Sequence, residues 1–484
     1  MRICAFYVSA ALVLMAGSAS AATTFPDTPV TTPLPLGYHA HPCPTEWKDA
    51  LKDSTRPVEC GDMVVEETRG SGNDRRISFP VVIIRTTAAD KKPDPLIYLH
   101  GGPGGDIVDA APYMARGNSI TPDRDIILFD HRGTGRSTPS LDCGEAPLSD
   151  AGVTSTAGVE VLKACALHWR ARGVDMSQYN SAVIVRDIRD LRQALGITTY
   201  NLFGGSYGTR VAMAVMQHDP EGLRSAVLSS TWPPEGNATA PLPGLVSREV
   251  RQILALCRAD TECNRRYPDL EARFDARLKV WLDTPVVQDG RTYTADEVGA
   301  FLLDEIYGDR GARRLPLTID ALIRGDLKAL DDFSKVQAGY TEGQFFTTLC
   351  KEEFSFEDPA ALDATDASDP LALAVARDAR RFFAVCPAFA TGKADPVENQ
   401  PLTSDIPTLM LSADIDAGCP AELSDAAVTR LSHGRSYTFA NRMHTIQGSV
   451  CARQMTAQFL QTADPAVDTS CMKDDRPKFP FIYE

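Results

Sequence analysis

The sequence predicts an α/β fold, in which a mostly parallel central sheet carries helices on both faces and an inserted helical cap. Two observations favour this class: short runs rich in Ile, Val and Leu alternate with helical patterns, and glycine-rich loops follow three of these runs. A third observation is that the alternation of strand-like runs and helices stops between about 234 and 401, where helical patterns dominate. A chain of 484 residues is long enough for one large domain with an insertion.

The composition is that of an ordinary soluble globular chain, with 43% hydrophobic residues, 7% aromatic residues and a formal net charge of −15. Nucleic acids and anionic membranes attract basic surfaces, so this charge argues against both as partners. No segment approaches twenty unbroken apolar residues, which argues against a membrane span. The sequence carries no indication of an oligomeric state.

The N-terminus has the three parts of a secretory signal peptide. Arg2 precedes an apolar run over 10–16, and Ala19, Ser20 and Ala21 form a small-residue cleavage pattern. We predict cleavage after Ala21, which leads to a periplasmic or secreted protein.

Cysteine usage agrees with export. Without Cys4 of the predicted leader, eleven of the 12 cysteines remain, and none shows the C-x-x-C spacing typical of zinc sites. Disulfides fit an oxidising compartment better. Pairing of sequence neighbours predicts five bridges and leaves Cys419 as a free thiol, although other connectivities are compatible with the sequence. The pairs are Cys43–Cys60, Cys143–Cys165, Cys257–Cys263, Cys350–Cys386 and Cys451–Cys471.

The predicted strands are short apolar runs that fit a sheet buried on both faces. They are Phe79–Arg85, Pro95–Leu99, Asp125–Phe129, Thr199–Phe203, Ala226–Leu228 and Thr408–Leu411. A helix is predicted over Ser181–Leu195 because its apolar residues recur at helical spacing, with Ser181 able to cap its start and Gly196 its end. Helical patterns in the predicted cap include Ala295–Tyr307, Leu317–Phe333 and Leu371–Val385.

The strongest chemical signal is the segment Gly204-Gly205-Ser206-Tyr207-Gly208, which follows a predicted strand and precedes a helix expected to start near Arg210. In such a G-x-S-x-G turn the glycines allow a sharp bend that exposes the serine hydroxyl, and the next N–H faces an oxyanion. The turn predicts Ser206 as a nucleophile. Because ligands bind beyond the carboxyl ends of parallel strands, Ser206 is expected at the active edge of the sheet.

Two further loops follow predicted strands. The segment His100 to Gly105 is rich in glycine, so its backbone N–H groups can approach an anionic intermediate, and it lacks the pattern of a phosphate-binding loop. The segment Asp130 to Ser137 is interpreted as a structured turn in which Asp130 and Arg132 brace the site.

The three motifs HGGPGG, DHRGTGRS and GGSYGT, in this order, resemble the alpha/beta-hydrolase serine peptidases of the proline iminopeptidase and tripeptidyl aminopeptidase type. The resemblance covers Leu96–Leu228 well and Ile406–Cys451 moderately, and Tyr207 resembles the tripeptidyl aminopeptidase branch. His131 stands where this family usually has glutamine, and Cys419 where it tends to have threonine. The resemblance implies the alpha/beta-hydrolase fold with a helical cap.

The alternation of strands and helices from Arg76 onward, its interruption by helical patterns and its return near 401 predict a domain order. It consists of a signal peptide over 1–21, an N-terminal arm over 22–75, a first part of the hydrolase core over 76–234, a helical cap over 235–401 and a C-terminal part of the core over 402–484.

The acid and the base of a catalytic triad are expected after the serine in the chain. Asp414 and Asp416 both follow a predicted strand, and we choose Asp416 because the family spaces its aspartate four residues before a proline, here Pro420. His444 is the predicted base, since it follows a strand-like segment and precedes Cys451 much as in the family. His433 lies before that segment and is interpreted as a surface histidine.

These roles predict an acyl-enzyme mechanism without metal or organic cofactor. His444 takes the proton of Ser206, Asp416 orients the imidazole, and the backbone N–H groups of Gly102 and Tyr207 stabilise the oxyanion.

The resemblance implies a peptide substrate with a free N-terminus, whose amine Glu352 is predicted to bind, although Glu352 is equally compatible with a solvated cap helix. A carboxylesterase acting on small esters is the alternative function, because the same triad serves both chemistries. A non-catalytic binding protein is a third hypothesis, which the complete set of catalytic residues disfavours. The sequence leaves open how many residues are removed and whether proline is preferred.

Overall fold

The computed structural model describes residues 25–72, 74–117, 120–144, 156–237, 239–334, 340–444 and 446–484. The predicted signal peptide, residues 1–21, lies outside the described residues.

A nine-stranded sheet forms the centre of the molecule, in the spatial order β1-β2-β3-β5-β4-β6-β7-β10-β11. The strands on the β1 side, up to the β3–β5 pair, are antiparallel, and those from β5 to β11 are parallel. The mostly parallel sheet predicted from the sequence is thereby confirmed. The strands are β1 (Gly37–His41), β2 (Val58–Glu66), β3 (Arg76–Ile84), β4 (Leu96–Leu99), β5 (Ile126–Phe129), β6 (Tyr200–Gly205), β7 (Leu223–Ser229), β10 (Thr408–Ala413) and β11 (Gly434–Phe439), while β8 (Val286–Gln288) and β9 (Arg291–Tyr293) form a separate hairpin.

The sheet has three strands beyond the six predicted, of which β11 is the strand-like segment that precedes His444. The six predicted strands correspond to β3, β4, β5, β6, β7 and β10 within a few residues. The stretch predicted as an N-terminal arm supplies β1 and β2, which pair antiparallel with each other, and β2 continues the sheet by pairing with β3.

Helices cover both faces of the sheet and dominate the chain between β7 and β10. Those outside this interval are α1 (Ala111–Met114), α2 (Thr156–Ala171), α3 (Ser181–Ala194), α4 (Tyr207–His218), α14 (Ala421–Val428), α15 (Val450–Thr462) and α16 (Met472–Asp475). Those within it are α5 (Leu242–Ala259), α6 (Thr261–Arg266), α7 (Leu270–Asp283), α8 (Ala295–Tyr307), α9 (Asp309–Ile323), α10 (Lys328–Phe333), α11 (Glu342–Glu352), α12 (Pro370–Phe383) and α13 (Cys386–Phe389).

Two predicted helix boundaries need correction. The start of α3 is capped by Asn180, whose side chain accepts a hydrogen bond from the Val183 N–H (3.3 Å), and Ser181 is the first helical residue instead of the cap. The helix predicted over Leu317–Phe333 is divided into α9 and α10, because Gly325 adopts a positive φ of 86° that ends the first of them.

The apolar core has separate parts on the two faces of the sheet and among the inserted helices. On one face α2, α3 and α4 contribute residues such as Trp169, Ile188 and Val211. On the other, α15 contributes Phe459. Helices α5 to α10 and α12 enclose a core of their own, whereas α11 packs with the core of the first sheet face through residues such as Phe346.

All five predicted disulfides are confirmed, and Cys419 is the free cysteine among the described residues, where it is buried. Among those residues, no helix has both the length and the apolar content that a bilayer crossing requires.

Candidate active site

Ser206 occupies a one-residue turn between β6 and α4. Its φ of 54° and ψ of −123° lie where side-chain-bearing residues are rarely found, and such strain is typical of functional turns. The helix begins at Tyr207, three residues earlier than the predicted start near Arg210. The Tyr207 N–H therefore belongs to the first turn of α4, where backbone donors have no acceptor within the helix.

Two glycines permit this turn. A Cβ atom on Gly208 would lie 2.1 Å from the carbonyl oxygen of Leu99, and one on Gly204 would lie 2.5 Å from the carbonyl oxygen of Gly208. The start of α4 thus packs directly on the end of β4, and only hydrogen atoms fit between the two backbones.

The loop after β4 lies beside the serine. A Cβ atom on Gly101 would lie 3.1 Å from Cβ of Ser206. Gly102 adopts a φ of 117°, a conformation that favours glycine. The structure therefore brings the loop that contains Gly102 next to Ser206, as the oxyanion prediction requires.

His444 and Asp416 form a direct pair. Nδ1 of His444 lies 2.8 Å from Oδ1 and 2.9 Å from Oδ2 of Asp416. The Asp416 side chain is fully buried, and its Oδ1 also accepts hydrogen bonds from the N–H groups of Gly418 (3.1 Å) and Cys419 (2.9 Å). A carboxylate held in this way fixes the orientation and tautomer of the imidazole.

The two alternative residues lie elsewhere. Oδ1 of Asp414 accepts a hydrogen bond from the N–H of Arg442 (3.1 Å), so this carboxylate holds the loop that precedes the histidine. His433 is exposed, and its Nδ1 lies 3.0 Å from the carbonyl oxygen of Asp405. The structure brings Asp416 and His444 together and leaves Asp414 and His433 out of the pair.

The end of β7 holds both the serine turn and the histidine loop. The N–H of Ser206 donates to the carbonyl oxygen of Ser229 (2.9 Å), and the hydroxyl of Ser230 donates to the carbonyl oxygen of His444 (2.6 Å). Because Ser229 and Ser230 are consecutive, Ser206 and His444 are held at the same carboxyl edge of the sheet.

Cys419 lies among these groups, which the sequence did not predict. Burial raises the pKa of its thiol well above the ordinary value, the negative charge of Asp416 raises it further, and a hydrogen bond with the Ser206 side chain lowers it. The thiol is therefore a neutral neighbour of the serine at physiological pH.

The carboxylate of Glu352 is already paired inside the protein, which corrects the prediction that it awaits a substrate amine. Its residue is only 1% exposed. Oε1 accepts from the N–H of Ser181 (2.5 Å), and Oε2 accepts from the Ser181 hydroxyl (2.8 Å) and from Nε of Arg210 (3.0 Å). The alternative of a solvated cap helix is also wrong, because Glu353 is buried beside it.

Two side chains of the loop after β5, those of Arg132 and Asp130, form hydrogen bonds with neighbouring segments of the chain. Nε and Nη2 of Arg132 each donate to the carboxylate of Asp187 at 2.6 Å, and Oδ1 of Asp130 accepts the N–H groups of Ile107 (2.8 Å) and Val108 (3.1 Å). These contacts agree with the predicted bracing roles.

Family comparisons match two separate segments of the chain. A family model described as "alpha/beta hydrolase fold" matches residues 94–263, which include Ser206, and one described as "TAP-like protein" matches residues 372–471, which include Asp416 and His444.

Curated relatives match a shorter stretch. A proline iminopeptidase of Xylella fastidiosa is 35% identical over 135 residues, which are 28% of this chain and 31% of that protein. One of Arabidopsis thaliana is 31% identical over 164 residues, which are 31% of this chain and 33% of that protein. The chain thus matches about a third of the length of these relatives. A crystal structure of proline iminopeptidase from Mycobacterium smegmatis has 17% identity and a TM-score of 0.41, and the alignment covers 81% of this chain and 97% of that one.

Proposed function

Since the chain belongs to the alpha/beta-hydrolase serine peptidases of the proline iminopeptidase and tripeptidyl aminopeptidase type, we propose that it is an exported serine aminopeptidase. It hydrolyses peptide bonds near a free N-terminus through Ser206, His444 and Asp416. The observation that carries the proposal is the 2.8 Å contact between His444 and Asp416 at the sheet edge that also presents Ser206.

The proposed reaction has two halves. His444 removes the proton of the Ser206 hydroxyl as its oxygen attacks the substrate carbonyl, and Asp416 stabilises the imidazolium that forms. The backbone N–H groups of Gly102 and Tyr207 stabilise the oxyanion. The imidazolium then protonates the leaving amine, and a water molecule activated by His444 hydrolyses the acyl-enzyme.

A carboxylesterase is retained as the second candidate, because of one specific observation. The carboxylate predicted to select a free amine, that of Glu352, has hydrogen bonds to Ser181 and Arg210 on its two oxygens. The chemistry of ester hydrolysis needs the same nucleophile and oxyanion donors but no amine subsite.

The test compares three substrates on the mature chain: a chromogenic peptide with a free amino terminus, the same peptide with that terminus acetylated, and a short-chain ester. Ser206→Ala is the control for background hydrolysis. Labelling by a fluorophosphonate, which reacts with an activated serine without needing a peptide, is measured in parallel.

Cleavage of the free-amine peptide alone, lost in Ser206→Ala, supports the aminopeptidase. Turnover of the ester without peptide cleavage replaces it with the esterase. Absence of fluorophosphonate labelling in the unmodified chain overturns both.

Export is part of the proposal and has its own support. Five disulfides in one chain fit an oxidising compartment. N-terminal sequencing of the protein recovered from outside the cytoplasm is expected to begin at Ala22, and a product that retains Met1 in the cytoplasm contradicts export.

A further inference from the structure

A single inserted helix contacts both elements that carry the proposed oxyanion donors. Helix α11 (Glu342–Glu352) has 11 residues and is about 16 Å long. It starts beside the loop that contains Gly102 and ends beside the helix that starts with Tyr207, as the following contacts show.

Directly before α11, the backbone of Thr341 is hydrogen-bonded to the loop that contains Gly102. Its N–H donates to the carbonyl oxygen of Gly104 at 2.8 Å, and a Cβ atom on Gly104 would lie 2.6 Å from the Thr341 carbonyl oxygen. The Thr341 hydroxyl accepts a hydrogen bond from the N–H of Gly135 at 3.4 Å. The loop and the helix start are therefore in direct backbone contact, with no space for a side chain between them.

At the end of α11, the carboxylate of Glu352 is linked by hydrogen bonds to the first turn of α4, the helix that follows Ser206. It accepts the Ser181 hydroxyl at 2.8 Å, and the same Ser181 oxygen lies 2.9 Å from the Tyr207 hydroxyl. It also pairs with Nε of Arg210 at 3.0 Å, and Arg210 lies one turn after Tyr207 on α4. Glu352 thus contacts the first turn of α4 through two routes.

All the side chains of this connection are withdrawn from water. Arg210, Glu352, Tyr207 and Ser181 are each no more than 4% exposed. A second carboxylate, Glu353, lies 2.6 Å from Nη1 of Arg210. Buried hydrogen bonds to charged groups are directional and costly to break, so the connection resists displacement of α4 relative to α11.

We propose that α11 fixes the separation of the two oxyanion donors and that Glu352 is a positioning residue for Tyr207. The role assigned to Glu352 is thereby moved from binding the substrate amine to holding the transition-state site. This inference rests on the proposed function, because it concerns the oxyanion donors of that reaction.

Glu352→Gln tests the proposal, because it keeps the shape of the side chain and removes the charge that Arg210 contacts. Asp94→Asn is the matched control: Asp94 is also buried and paired with an arginine, Arg124 (3.1 Å), but it precedes β4 and so lies at the opposite edge of the sheet. Both variants are assayed for kcat and KM on the free-amine and acetylated peptides and for binding of a peptidyl trifluoromethyl ketone, which mimics the tetrahedral intermediate.

The expected result for Glu352→Gln is a fall in kcat of about 10- to 100-fold with little change in KM, because misplacement of a catalytic group by about 1 Å costs this much. Affinity for the ketone falls in parallel with kcat/KM, and the preference for the free amine is unchanged. Asp94→Asn keeps the kcat of the unmodified chain.

Two results overturn the inference. An unchanged kcat with a raised KM for the free-amine peptide alone returns Glu352 to the amine subsite. A Glu352→Gln enzyme whose kinetics equal those of Asp94→Asn makes the contact purely structural. In both cases the unmodified chain still cleaves peptide, so the proposed function stands.

Tyr207→Phe keeps the proposal testable if Glu352→Gln does not fold. It removes only the hydroxyl that contacts Ser181 and leaves the Arg210 pair intact. We expect kcat to fall by about 3- to 10-fold at constant KM. The fall should be the same for the free-amine peptide and for the acetylated peptide. A kcat equal to that of the unmodified chain contradicts the Ser181 route.

Discussion

The ring of Tyr307 lies edge-on against the imidazole of His444, with the ring centroids 4.7 Å apart and the planes at 86°. Tyr307 is the last residue of α8, and its hydroxyl lies so close to Gly418 that a Cβ atom there would be 2.0 Å from it. The inserted helices therefore contact the proposed base on one side while Asp416 holds it on another. This arrangement makes the inserted segment part of the surroundings of the proposed base.

Replacement of Tyr307 by alanine is expected to reduce kcat by about tenfold, because the imidazole loses the ring that limits its rotation away from Ser206. Tyr307→Phe keeps the ring and is expected to retain most of the activity. Steady-state kinetics and the rate of fluorophosphonate labelling measure both. Equal losses in the two variants would show that the hydroxyl, instead of the ring contact, is the important group.

Asp416→Asn is expected to reduce kcat by about 10⁴-fold, because an amide in this position favours the wrong imidazole tautomer. Asp414→Asn is the matched control, since Asp414 bonds to the Arg442 N–H and does not contact His444. We expect it to retain kcat within about threefold and to change mainly stability. The measurement is kcat for the two variants side by side, and a larger loss in Asp414→Asn would reverse the assignment of the acid.

The sequence predicted the serine turn and the parallel strands because both depend on neighbouring residues. Gly204, Ser206 and Gly208 form a local pattern whose backbone geometry follows from short-range sterics. The choice of Asp416 over Asp414 came from a resemblance in spacing, and the pairing with His444 agrees with it.

Other features depended on contacts that no local pattern records. The environment of Glu352 is set by Ser181 and Arg210, which lie far away in the chain, so the residues next to Glu352 in the sequence could not show that both of its carboxylate oxygens are engaged. The strands β1 and β2 were not predicted because neither forms an unbroken apolar run: β1 is five residues long and partly polar, and β2 contains Gly61 and Asp62. The β8–β9 hairpin carried a usable signal, the pair Asp289-Gly290, both with positive φ.

A glycine pair tests the close approach of α4 to β4. Gly208→Ala is expected to destabilise the fold by about 3 kcal/mol or more, because its Cβ would lie 2.1 Å from the Leu99 carbonyl oxygen. Gly244→Ala, in α5, meets no atom within 4 Å and is expected to stabilise by up to about 1 kcal/mol. Urea unfolding of both variants gives the free energies of unfolding. A Gly208→Ala protein as stable as the unmodified chain contradicts the packing of this turn.

The last prediction concerns Glu249, a buried carboxyl of α5 that lines a cleft of about 410 Å³ together with Asp416 and Glu422. Its Oε1 accepts hydrogen bonds from Arg248, while Oε2 is buried without a hydrogen-bond partner among the described residues. Burial raises the pKa of Glu249 from 4.5 to about 7, Arg248 opposes the shift, and Asp416 and Glu422 add to it.

The pKa of Glu249 is higher in the folded than in the unfolded chain. At pH values between the two pKa values, about 4.5 and about 7, the folded state therefore binds more protons than the unfolded state. The contribution of Glu249 to stability is therefore complete below about pH 4.5 and is lost as the pH rises through 7. Glu249→Gln removes the titration, so the free energy of unfolding of the variant should rise relative to the unmodified chain between pH 5 and pH 8. The gain is at most about 3 kcal/mol, and less where water in the cleft screens the charge. Urea unfolding at four pH values between these limits measures it, and a difference that stays constant across them would show that Glu249 does not change its protonation on folding.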